Sequence, residues 1–289
     1  MTGKERSVVL ASRHEKLFRC PICTTSMKVV ELKSLVCKNN HTFDFAKQGY
    51  INLLTRSVQS QYDRELFEAR KQIIVESGLY KSLHEKVAVV IHEKINASAD
   101  SKIIFDAGSG EGSHLKKILD ELNDENFTGI GLDISKEGVR LAASQYKDSI
   151  WMVGDLANTP LKDQSVHVIL NILSPANYEE FKRLLAPNGM MIKVVPRTNY
   201  LRELRDALFS NDEKNKYKND NIVALFKEHF HLLDHLTLQY TLELSEFELR
   251  NLVRMSPLGW NANEETIERF VNRSNLAITV NFDILIGKK

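Results

Sequence analysis

The stretch that most constrains this chain runs from Lys102 to Gly112 and reads KIIFDAGSGEG. Its first half is an apolar run that ends at Asp106, as a buried strand would, and its second half places glycine at every other position. Glycine lets backbone N–H groups approach a ligand where a Cβ atom would collide, and it lets the next helix pack closely on the strand. The stretch therefore predicts a strand, a ligand-binding turn and a helix over residues 111–122. The alternative is a tight turn whose glycines contact no ligand.

Apolar patterns typical of strands and helices alternate after this turn. Strands are predicted at residues 128–134, 150–154, 166–173 and 190–195, with helices at 136–146 and 178–185 and a turn at 185–189. Alternation of this kind is typical of a doubly wound, mainly parallel sheet, which binds ligands at the carboxyl ends of its strands. Further helices are predicted at 64–77, 83–95, 199–209 and 219–228, a strand or strand pair at 231–244, and a last antiparallel strand at 276–286. We therefore expect an α/β, Rossmann-like fold.

Acidic side chains end three successive predicted strands: Asp106, Asp133 and Asp155. A carboxylate at Asp133 can accept hydrogen bonds from the two ribose hydroxyls of an adenosine, and one at Asp155 suits an adenine amino group. Asp106 is expected to orient the glycine loop or to meet a ligand amino group. Each acid alone could be only a strand-end cap. The glycine pattern D-x-G-x-G-x-G differs from the G-x-G-x-x-G of dinucleotide folds. Three acids at successive strand ends, in register with this pattern, indicate S-adenosylmethionine (SAM) as the cofactor.

The three cysteines of the chain lie close together near its start, as Cys20, Cys23 and Cys37, with His41 four residues further on. The C-x2-C-x13-C-x3-H spacing and the ligand types suit a closed tetrahedral Zn²⁺ site. Four protein ligands leave no open position, so we expect a structural ion that supplies folding energy to a segment too short for a large core. Residues 27–36 predict a short hairpin that brings the two ligand pairs together. The alternative is three buried structural cysteines and an exposed histidine.

The N-terminal region is basic, because residues 1–60 carry ten Lys/Arg against four Asp/Glu, whereas the whole chain has a net charge of +1. A basic module on a near-neutral body indicates a polyanionic partner, the alternative being an ordinary solvated surface of mixed charge. Phe43, Phe45 and Tyr50 could stack on unpaired bases, with Lys47 near phosphate. They could equally form the small core beneath the zinc site.

The sequence shows neither a membrane segment nor a disulfide framework. No apolar run approaches the ~20 residues that a membrane helix needs, and residues 1–16 lack the apolar segment of a signal peptide. An odd number of cysteines argues against disulfide pairing. We therefore expect a soluble, cytoplasmic protein without a membrane partner.

Together these motifs resemble the RlmA/RrmA family of 23S rRNA (guanine-N1)-methyltransferases, and in particular its Gram-positive RlmA(II) branch. The resemblance runs from Phe18 to Leu285 and is most specific in FDFAKQGYINLL, residues 43–54, and MSPLGW, residues 255–260. It implies SAM and Zn²⁺ as cofactors, 23S rRNA as partner and a homodimer. It also implies methylation of guanine N1 in a hairpin loop near the macrolide-binding region, with a contribution to resistance to tylosin-type drugs.

The predicted cofactor site combines the glycine loop, the strand-end acids and two tyrosines. Its residues are Tyr80, Asp106, Gly108, Gly110, Glu111, Gly112, Ser113, His114, Asp133, Asp155 and Tyr200. Tyr80 stands where the family has a cofactor-contacting tyrosine, and Tyr200 where some members have a histidine. From the residues alone, Tyr80 could as well be a core or surface side chain. Cys20, Cys23, Cys37 and His41 match the zinc ligands of the family.

Guanine N1 bears a proton, so its methylation needs a general base or stabilisation of the negative charge that develops on O6. Asn171 and Asn177 belong to NILSPANY, at the end of the fourth predicted strand, where the reacting atom meets the methyl group. This segment differs from the N-P-P-Y/F signature of exocyclic amine methylation, which disfavours adenine N6 chemistry. Asp44 of the zinc module is the third candidate for a catalytic role.

Four regions are expected: an N-terminal extension (1–16), a zinc-binding RNA-recognition module (17–54), a linker with helices (55–100) and the methyltransferase domain (101–289).

Two other functions remain open. A small-molecule SAM methyltransferase has no need for a basic zinc module. A non-catalytic RNA-binding protein with a degenerate SAM fold would be expected to have lost the glycines or Asp133, and both are present.

Overall fold

The computed structural model describes residues 2–56, 58, 62–95, 101–209, 219–273 and 275–289. Its N-terminal part begins with helix α1 (Gly3–Arg13), followed by a 3-10 turn, Glu15–Leu17. A small antiparallel sheet follows, with strands β1 (Met27–Val30), β2 (Ser34–Cys37) and β3 (Thr42–Asp44) in that order. The hairpin predicted over residues 27–36 is confirmed, because β1 and β2 pair with Met27 opposite Cys37.

The main sheet contains the other eight strands of the described chain. They are β4 (Ile51–Asn52), β5 (Lys102–Ala107), β6 (Phe127–Asp133), β7 (Ser149–Val153), β8 (Val166–Ile172), β9 (Leu185–Pro196), β10 (His231–Leu244) and β11 (Leu276–Lys288). Their order across the sheet is β10-β11-β9-β8-β5-β6-β7-β4. Neighbours from β9 to β4 run parallel, whereas β11 is antiparallel to β9, and β10 to β11. The predicted mainly parallel sheet with an antiparallel last strand is confirmed.

Helices cover both faces of this sheet. They are α2 (Arg64–Lys71), α3 (Lys81–Lys94), α4 (Ser113–Leu122), α5 (Lys136–Gln145), α6 (Tyr178–Leu184), α7 (Arg202–Leu208), α8 (Asp220–His229), α9 (Glu246–Met255) and α10 (Glu264–Val271). Successive strand residues face opposite sides, so Ile104 of β5 joins a core with α3, α4 and α5 while Phe105 joins a second core with α1, α6 and α8. Among the described residues, no helix is both long and apolar enough to cross a membrane.

The first residues of the chain fold onto the second core. Helix α1 begins with a capping box, in which the Thr2 hydroxyl accepts from the Glu5 N–H at 3.2 Å and the Glu5 carboxylate accepts from the Thr2 N–H at 2.7 Å. Val8 and Ala11, on the inner face of this helix, are fully buried. Sequence reasoning missed this helix, although the T-G-K-E pattern of a capping box stands at its start.

The small sheet is joined to the main sheet by β4, which sequence reasoning did not predict. Ile51 pairs with Met152, so this two-residue strand extends the parallel sheet beyond β7. Phe45 and Tyr50 are 3% and 6% exposed and belong to the two cores, while Phe43 is partly buried. Of the two roles open for these aromatic residues, the core role is confirmed for Phe45 and Tyr50.

Three predicted segments differ from the structure or include residues outside its described part. The helix predicted at 64–77 is α-helical only as α2, and the chain then makes a π-helical turn, Gln72–Glu76. In this turn the N–H of Ser77 donates to the carbonyl of Gln72 at 2.9 Å. Residues 185–189, predicted as a turn, form the first part of β9, whose pairing with β8 is irregular between Val166 and Val168. The predicted link 55–63 includes residues 57 and 59–61, which lie outside the described part of the chain.

Candidate active site and metal centre

The metal centre lies at one end of the small sheet, where the four predicted ligands converge. Their ligand atoms all lie within 4.8 Å of one another. Nδ1 of His41 is 3.5 Å from Sγ of Cys20 and 3.4 Å from Sγ of Cys37, and the Sγ atoms of Cys23 and Cys37 are 3.6 Å apart. A hydrogen bond with Thr25 lowers the pKa of the Cys23 thiol to about 6, which favours the thiolate that binds metal. Three thiols and one imidazole in this arrangement fit a tetrahedral structural Zn²⁺.

A cavity of about 590 Å³ opens at the carboxyl ends of the parallel strands. Seven of the eleven predicted cofactor residues line it: Tyr80, Gly108, Gly110, His114, Asp133, Asp155 and Tyr200. The other four, Asp106, Glu111, Gly112 and Ser113, are buried around the glycine loop. The structure therefore brings the whole predicted set to one place, with some members at the cavity wall and others behind it.

The glycine loop needs its glycines for two different reasons. Gly108 and Gly110 line the cavity with φ of +85° and +55°, a backbone region that disfavours side chains. Gly112 has a φ of +81°, and a Cβ atom there would lie 2.4 Å from the Trp151 ring. The loop is held to β6 because the N–H groups of Gly108 and Ser109 donate to the carbonyl of Leu132 at 2.9 and 3.0 Å. Gly112 thus serves packing, and so does Gly108, because a Cβ atom there would lie 2.0 Å from Oγ of Ser174.

Asp133 fixes the geometry of the cavity floor. One carboxylate oxygen accepts from the N–H of Gly110 and the other from the N–H of Ser135, both at 2.8 Å. Burial raises the pKa of Asp133, and these backbone hydrogen bonds oppose that effect. Each oxygen has a second lone pair, so the carboxylate can still accept from ribose hydroxyls.

Three acids and one arginine form a charge cluster around the glycine loop. Asp106 and Glu111 are buried behind the loop, whereas Asp133 and Arg70 are partly buried and line the cavity. Oδ2 of Asp106 and Oε1 of Glu111 are buried, and among the described residues neither has a hydrogen-bond partner. Burial, together with the negative charges of Asp133 and Glu111, raises the pKa of Asp106 to about 8. A cationic ligand group here would relieve both the excess of negative charge and the missing hydrogen bonds.

Arg70 is a candidate site residue that sequence reasoning missed. It lies on α2, lines the cavity, and donates from Nε to Oε2 of Glu111 at 2.8 Å. A Cβ atom on Gly110 would be 3.7 Å from both Nε and Nη2 of Arg70, so the guanidinium lies over the loop. Its Nη atoms have no acceptor among the described residues, and they present a fork suited to a carboxylate. The available signal was an arginine on the apolar face of α2, beside Phe67 and Ile73.

A buried polar wall closes the cavity on the side of α3. The hydroxyls of Tyr80 and Tyr200 are 2.5 Å apart, and the Tyr80 ring meets His114 edge-on with centroids 5.2 Å apart. Nδ1 of His114 is 2.9 Å from Nε2 of His84. Burial raises the pKa of both tyrosines, that of Tyr200 to about 12, and lowers the pKa of both histidines, so this wall is neutral. Tyr80 is therefore both a core side chain and part of the cavity wall.

The end of β8 carries the predicted acceptor segment, and its backbone is braced from two sides. Nδ2 of Asn171 donates to the carbonyls of Ala107 and Pro175 at 3.1 and 2.9 Å, and the Ser174 hydroxyl donates to that of Ala107 at 3.0 Å. Lys193 of β9 donates from Nζ to Oδ1 of Asn171 and to the carbonyl of Ser174. Sequence reasoning missed Lys193 too, although a lysine in the apolar run MMIKVV was visible.

The structure does not bring Asp44 and Asn177 into the cavity. Asp44 lies on β3, where its carboxylate accepts from the Ser34 hydroxyl at 2.5 Å. Asn177 caps α6, its side-chain oxygen accepting from the N–H of Glu180 at 3.2 Å. Neither residue is part of the cavity lining, nor is Asn171, which is fully buried, whereas Ser174 and Pro175 line the cavity.

Asp155 and two exposed aromatic residues lie at the outer edge of the cavity. Asp155 accepts from Nη2 of Arg56 at 2.8 Å, and that arginine side chain is 72% exposed. An ion pair this exposed contributes little, so an adenine amino group can replace it at small cost. The rings of Tyr62 and Trp260 pack edge-on at the mouth, with centroids 5.7 Å apart. Trp260 ends the MSPLGW segment, most of which lines the cavity.

The chain matches two sequence families, one over each half of this arrangement. The zinc ribbon family described as "RlmA, N-terminal" matches residues 18–60, and the family described as "Methyltransferase domain" matches residues 104–189. The first region contains all four residues of the metal centre. The second contains the glycine loop, Asp133 and Asp155.

Relatives align with nearly the whole chain. YxjB of Bacillus subtilis (strain 168), a predicted 23S rRNA (guanine-N(1)-)-methyltransferase, is 40% identical over 276 residues, which cover 94% of this chain and 97% of that protein. The 23S rRNA (guanine(748)-N(1))-methyltransferase of Streptomyces fradiae is 32% identical and covers 88% of this chain and 89% of its own length. A predicted 23S rRNA (guanine-N(1)-)-methyltransferase of Micromonospora griseorubida is 28% identical, covering 93% and 96%.

Proposed function

The chain belongs to the family of 23S rRNA (guanine-N1)-methyltransferases, and on that premise we propose that it methylates N1 of one guanine in a hairpin loop of 23S rRNA near the macrolide-binding region. It is a SAM-dependent rRNA methyltransferase with a zinc ribbon, and its cofactors are SAM and Zn²⁺. The proposal rests on one observation: the same fold contains a cofactor cavity and a basic zinc ribbon. The name of the Streptomyces fradiae relative specifies guanine 748, so the equivalent guanine is the first position to test.

SAM, when bound, supplies a methyl group on a positively charged sulfur. The order of strands in the sheet sets the direction in which we expect SAM to lie. Asp155 follows β7 and Asp133 ends β6, which suits adenine and ribose. Arg70 and Asp106 lie at the glycine loop, where Arg70 can bind the carboxylate of the methionine end and Asp106 its ammonium group. The donor set fits the cofactor because two buried oxygens at the glycine loop, Oδ2 of Asp106 and Oε1 of Glu111, lack hydrogen-bond partners among the described residues, and a cationic group would supply them.

The target guanine then meets the methyl group at the end of β8. Methyl transfer is an in-line displacement, so the protein contributes chiefly by holding the two reactants in line. The hydrogen bonds of Asn171 and Ser174 to the carbonyl of Ala107 keep the β8 segment at a constant distance from the glycine loop. The acceptor surface is therefore built on the same strand ends as the cofactor surface.

The zinc ribbon provides the surface for RNA. Lys28, Lys33, Lys38 and Lys47 are all exposed on it, and exposed lysines attract phosphate without reading sequence. Phe45 and Tyr50 are buried, so base stacking cannot come from them. Because β4 joins the ribbon to the main sheet, RNA held by the lysines is presented to a fixed edge of the molecule.

A homodimer and a contribution to resistance to tylosin-type drugs stay predictions.

The experiment that tests this function compares substrates and uses charge reversal of the ribbon. Deleting the ribbon would remove β4 and part of the core, so a variant with Lys28, Lys33 and Lys38 replaced by Glu is the better choice. With labelled SAM, we expect label in unmodified 23S rRNA, a large loss of rRNA methylation in this variant, and an unchanged affinity for S-adenosylhomocysteine. Label found only in small molecules or in protein would contradict the proposal. A matched control replaces Lys81, Lys86 and Lys136, outside the ribbon, by Glu.

A further inference from the structure

Lys193 is a buried lysine in the part of the cavity that we assign to the target guanine. It lies on β9, is 4% exposed, and lines the cavity together with Ser174 and Pro175. Within the described part of the chain, no carboxylate forms an ion pair with it, and burial alone accounts for the change in its pKa. Burying an amine without a counter-ion costs free energy, because the charged form loses its hydration.

The hydrogen bonds of Lys193 suit a neutral amine. Nζ donates to Oδ1 of Asn171 and, at 3.3 Å, to the carbonyl of Ser174. The side-chain amide of Asn171 is fixed in this orientation because its Nδ2 donates to the carbonyls of Ala107 and Pro175. A neutral amine has two N–H groups and one lone pair. These two acceptors use both N–H groups and leave the lone pair available.

Burial lowers the pKa of Lys193 to about 8, so a useful fraction of the side chain is neutral near physiological pH. The other ionisable groups of the cavity do not reverse this effect. Tyr80, Tyr200 and His114 are neutral there because burial shifts the pKa of each away from neutrality. On the neighbouring strand β11, Asp283 forms an ion pair with Arg197 at 3.6 Å and accepts hydrogen bonds from Asn219 and Thr237.

The strand order also separates Lys193 from the charged groups of the cofactor end. β8 and β5 lie between β9 and β6, so the strands of Lys193 and Asp133 are about 14 Å apart, given the ~4.8 Å between neighbouring strands. Asp155 lies beyond β7, one strand further away. Asp106 lies on β5, two strands and therefore about 10 Å from the strand of Lys193. Lys193 is thus near the acceptor and at least two strands away from the acids that bind the donor.

We propose that Lys193 is the general base of this enzyme and takes the N1 proton of the target guanine during methyl transfer. The inference rests on the proposed function. The N1–H bond breaks with its electron pair left on the guanine, and the proton goes to the lone pair of Nζ. The new N1–C bond forms while the bond from the methyl carbon to sulfur breaks, its electron pair going to sulfur. The Lys193 ammonium group afterwards returns the proton to solvent.

The test measures the rate of methyl transfer in a single turnover, from pH 6 to 9.5, with saturating SAM and unmodified 23S rRNA. For the wild type we expect a rate that rises tenfold per pH unit and levels off near pH 8. Lys193→Met should lower the rate roughly 10²–10⁴-fold, which is the factor that a general base usually contributes to the rate. The remaining rate should keep rising above pH 8, because the guanine must then ionise by itself.

Two further measurements separate a base from a side chain that only braces the β8 segment. Added methylamine should partly restore Lys193→Ala, in proportion to the free amine, which would not occur if the role were structural. The affinity for S-adenosylhomocysteine, measured by calorimetry, should match the wild type in both variants and show that they are folded. Lys182→Met, a partly buried lysine of α6 outside the cavity lining, is the matched control and should leave the profile unchanged.

The outcomes are distinct. An active wild type together with an unchanged rate and pH profile in Lys193→Met overturns this inference alone. A slow Lys193→Ala that amines do not restore also overturns it and makes Lys193 a positioning residue. A wild type that methylates no guanine overturns the proposed function, and this inference with it.

Discussion

Nε of Arg70 donates to Oε2 of Glu111 across 2.8 Å, and this contact joins helix α2 to the glycine loop. The two residues are 41 positions apart in the chain. The Nη atoms of Arg70 and Oε1 of Glu111 have no partner among the described residues, so the pair offers both donors and an acceptor. A ligand end that carries both charges, as the methionine part of SAM does, fits such a pair.

Replacing Arg70 should remove recognition of the methionine end and leave that of adenosine. We expect Arg70→Met to weaken binding of S-adenosylhomocysteine about ten- to a hundredfold, because hydrogen bonds to charged groups contribute roughly 1.5–3 kcal/mol. Binding of 5′-methylthioadenosine, which lacks the amino-acid end, should not change. Calorimetry with both ligands measures this difference. Arg64→Met, on the exposed side of α2, is the matched control; an equal loss for both ligands would assign Arg70 to the fold instead.

The protonation state of Asp106 should change when the cofactor binds. Burial and the neighbouring Asp133 and Glu111 raise its pKa to about 8, so in the free protein at pH 7 it is mostly protonated. A ligand ammonium group favours the ionised form, so binding should release close to one proton at pH 7. The affinity should therefore rise with pH up to about 8. Calorimetry in buffers of different ionisation enthalpy measures the proton release, which should vanish in Asp106→Asn.

The same variant provides a check on stability. An acid whose pKa is raised by folding takes up a proton on folding, and its destabilising effect appears as the pH rises from its unfolded value towards 8. Asp106→Asn should therefore raise the Tm of the ligand-free protein at pH 8 more than at pH 5. An equal change in Tm at both pH values would mean that Asp106 is ionised in the free protein.

Gly112 should be required for packing rather than for its backbone angle alone. A Cβ atom there would lie 2.4 Å from the Trp151 ring, whereas one on Gly78, which has a similar φ of +74°, would have no atom within 4 Å. Gly78→Ala therefore measures the cost of the backbone angle by itself. We expect Gly112→Ala to lower the free energy of unfolding by roughly 1–3 kcal/mol more than Gly78→Ala, as overpacking does. Equal losses in urea unfolding would refute the packing role.

Removing zinc should loosen the small sheet and weaken RNA binding. Cys37 is 4% exposed and contacts the second core, so Cys37→Ser should abolish zinc binding and lower the Tm. Binding of S-adenosylhomocysteine should be affected much less, because the cavity is built by the main sheet. Metal analysis, thermal unfolding and rRNA binding measure the three effects. Lys38→Ser, at an exposed position next to Cys37, is the control and should change neither the zinc content nor the Tm.

Features with a local sequence signal could be predicted, and those that depend on distant contacts could not. The strand at β5, the glycine turn and Asp133 each follow from residues within one strand and its turn. The zinc ligands follow from spacing within a short segment. Arg70 and Lys193 have ordinary local surroundings, since one sits in an amphipathic helix and the other in an apolar strand. Their importance appears only when α2 lies over Gly110 and β9 lies beside β8.

Short pairings also escape prediction. β4 has two residues, and its pairing with β7 depends on how the small sheet docks rather than on its own pattern. Asp44 and Asn177 show the opposite case. Their residue types suit catalysis, yet local hydrogen bonds to Ser34 and Glu180 hold them outside the cavity.

The central claim is methylation of N1 at a single guanine of 23S rRNA. The most direct measurement incubates the protein with SAM and unmodified 23S rRNA and then maps primer-extension stops along the whole RNA. N1 methylation blocks the Watson–Crick edge, so one new stop at a hairpin-loop guanine, absent without SAM, is the predicted result. Incorporated methyl groups without any stop, or stops at a base other than guanine, would contradict the account.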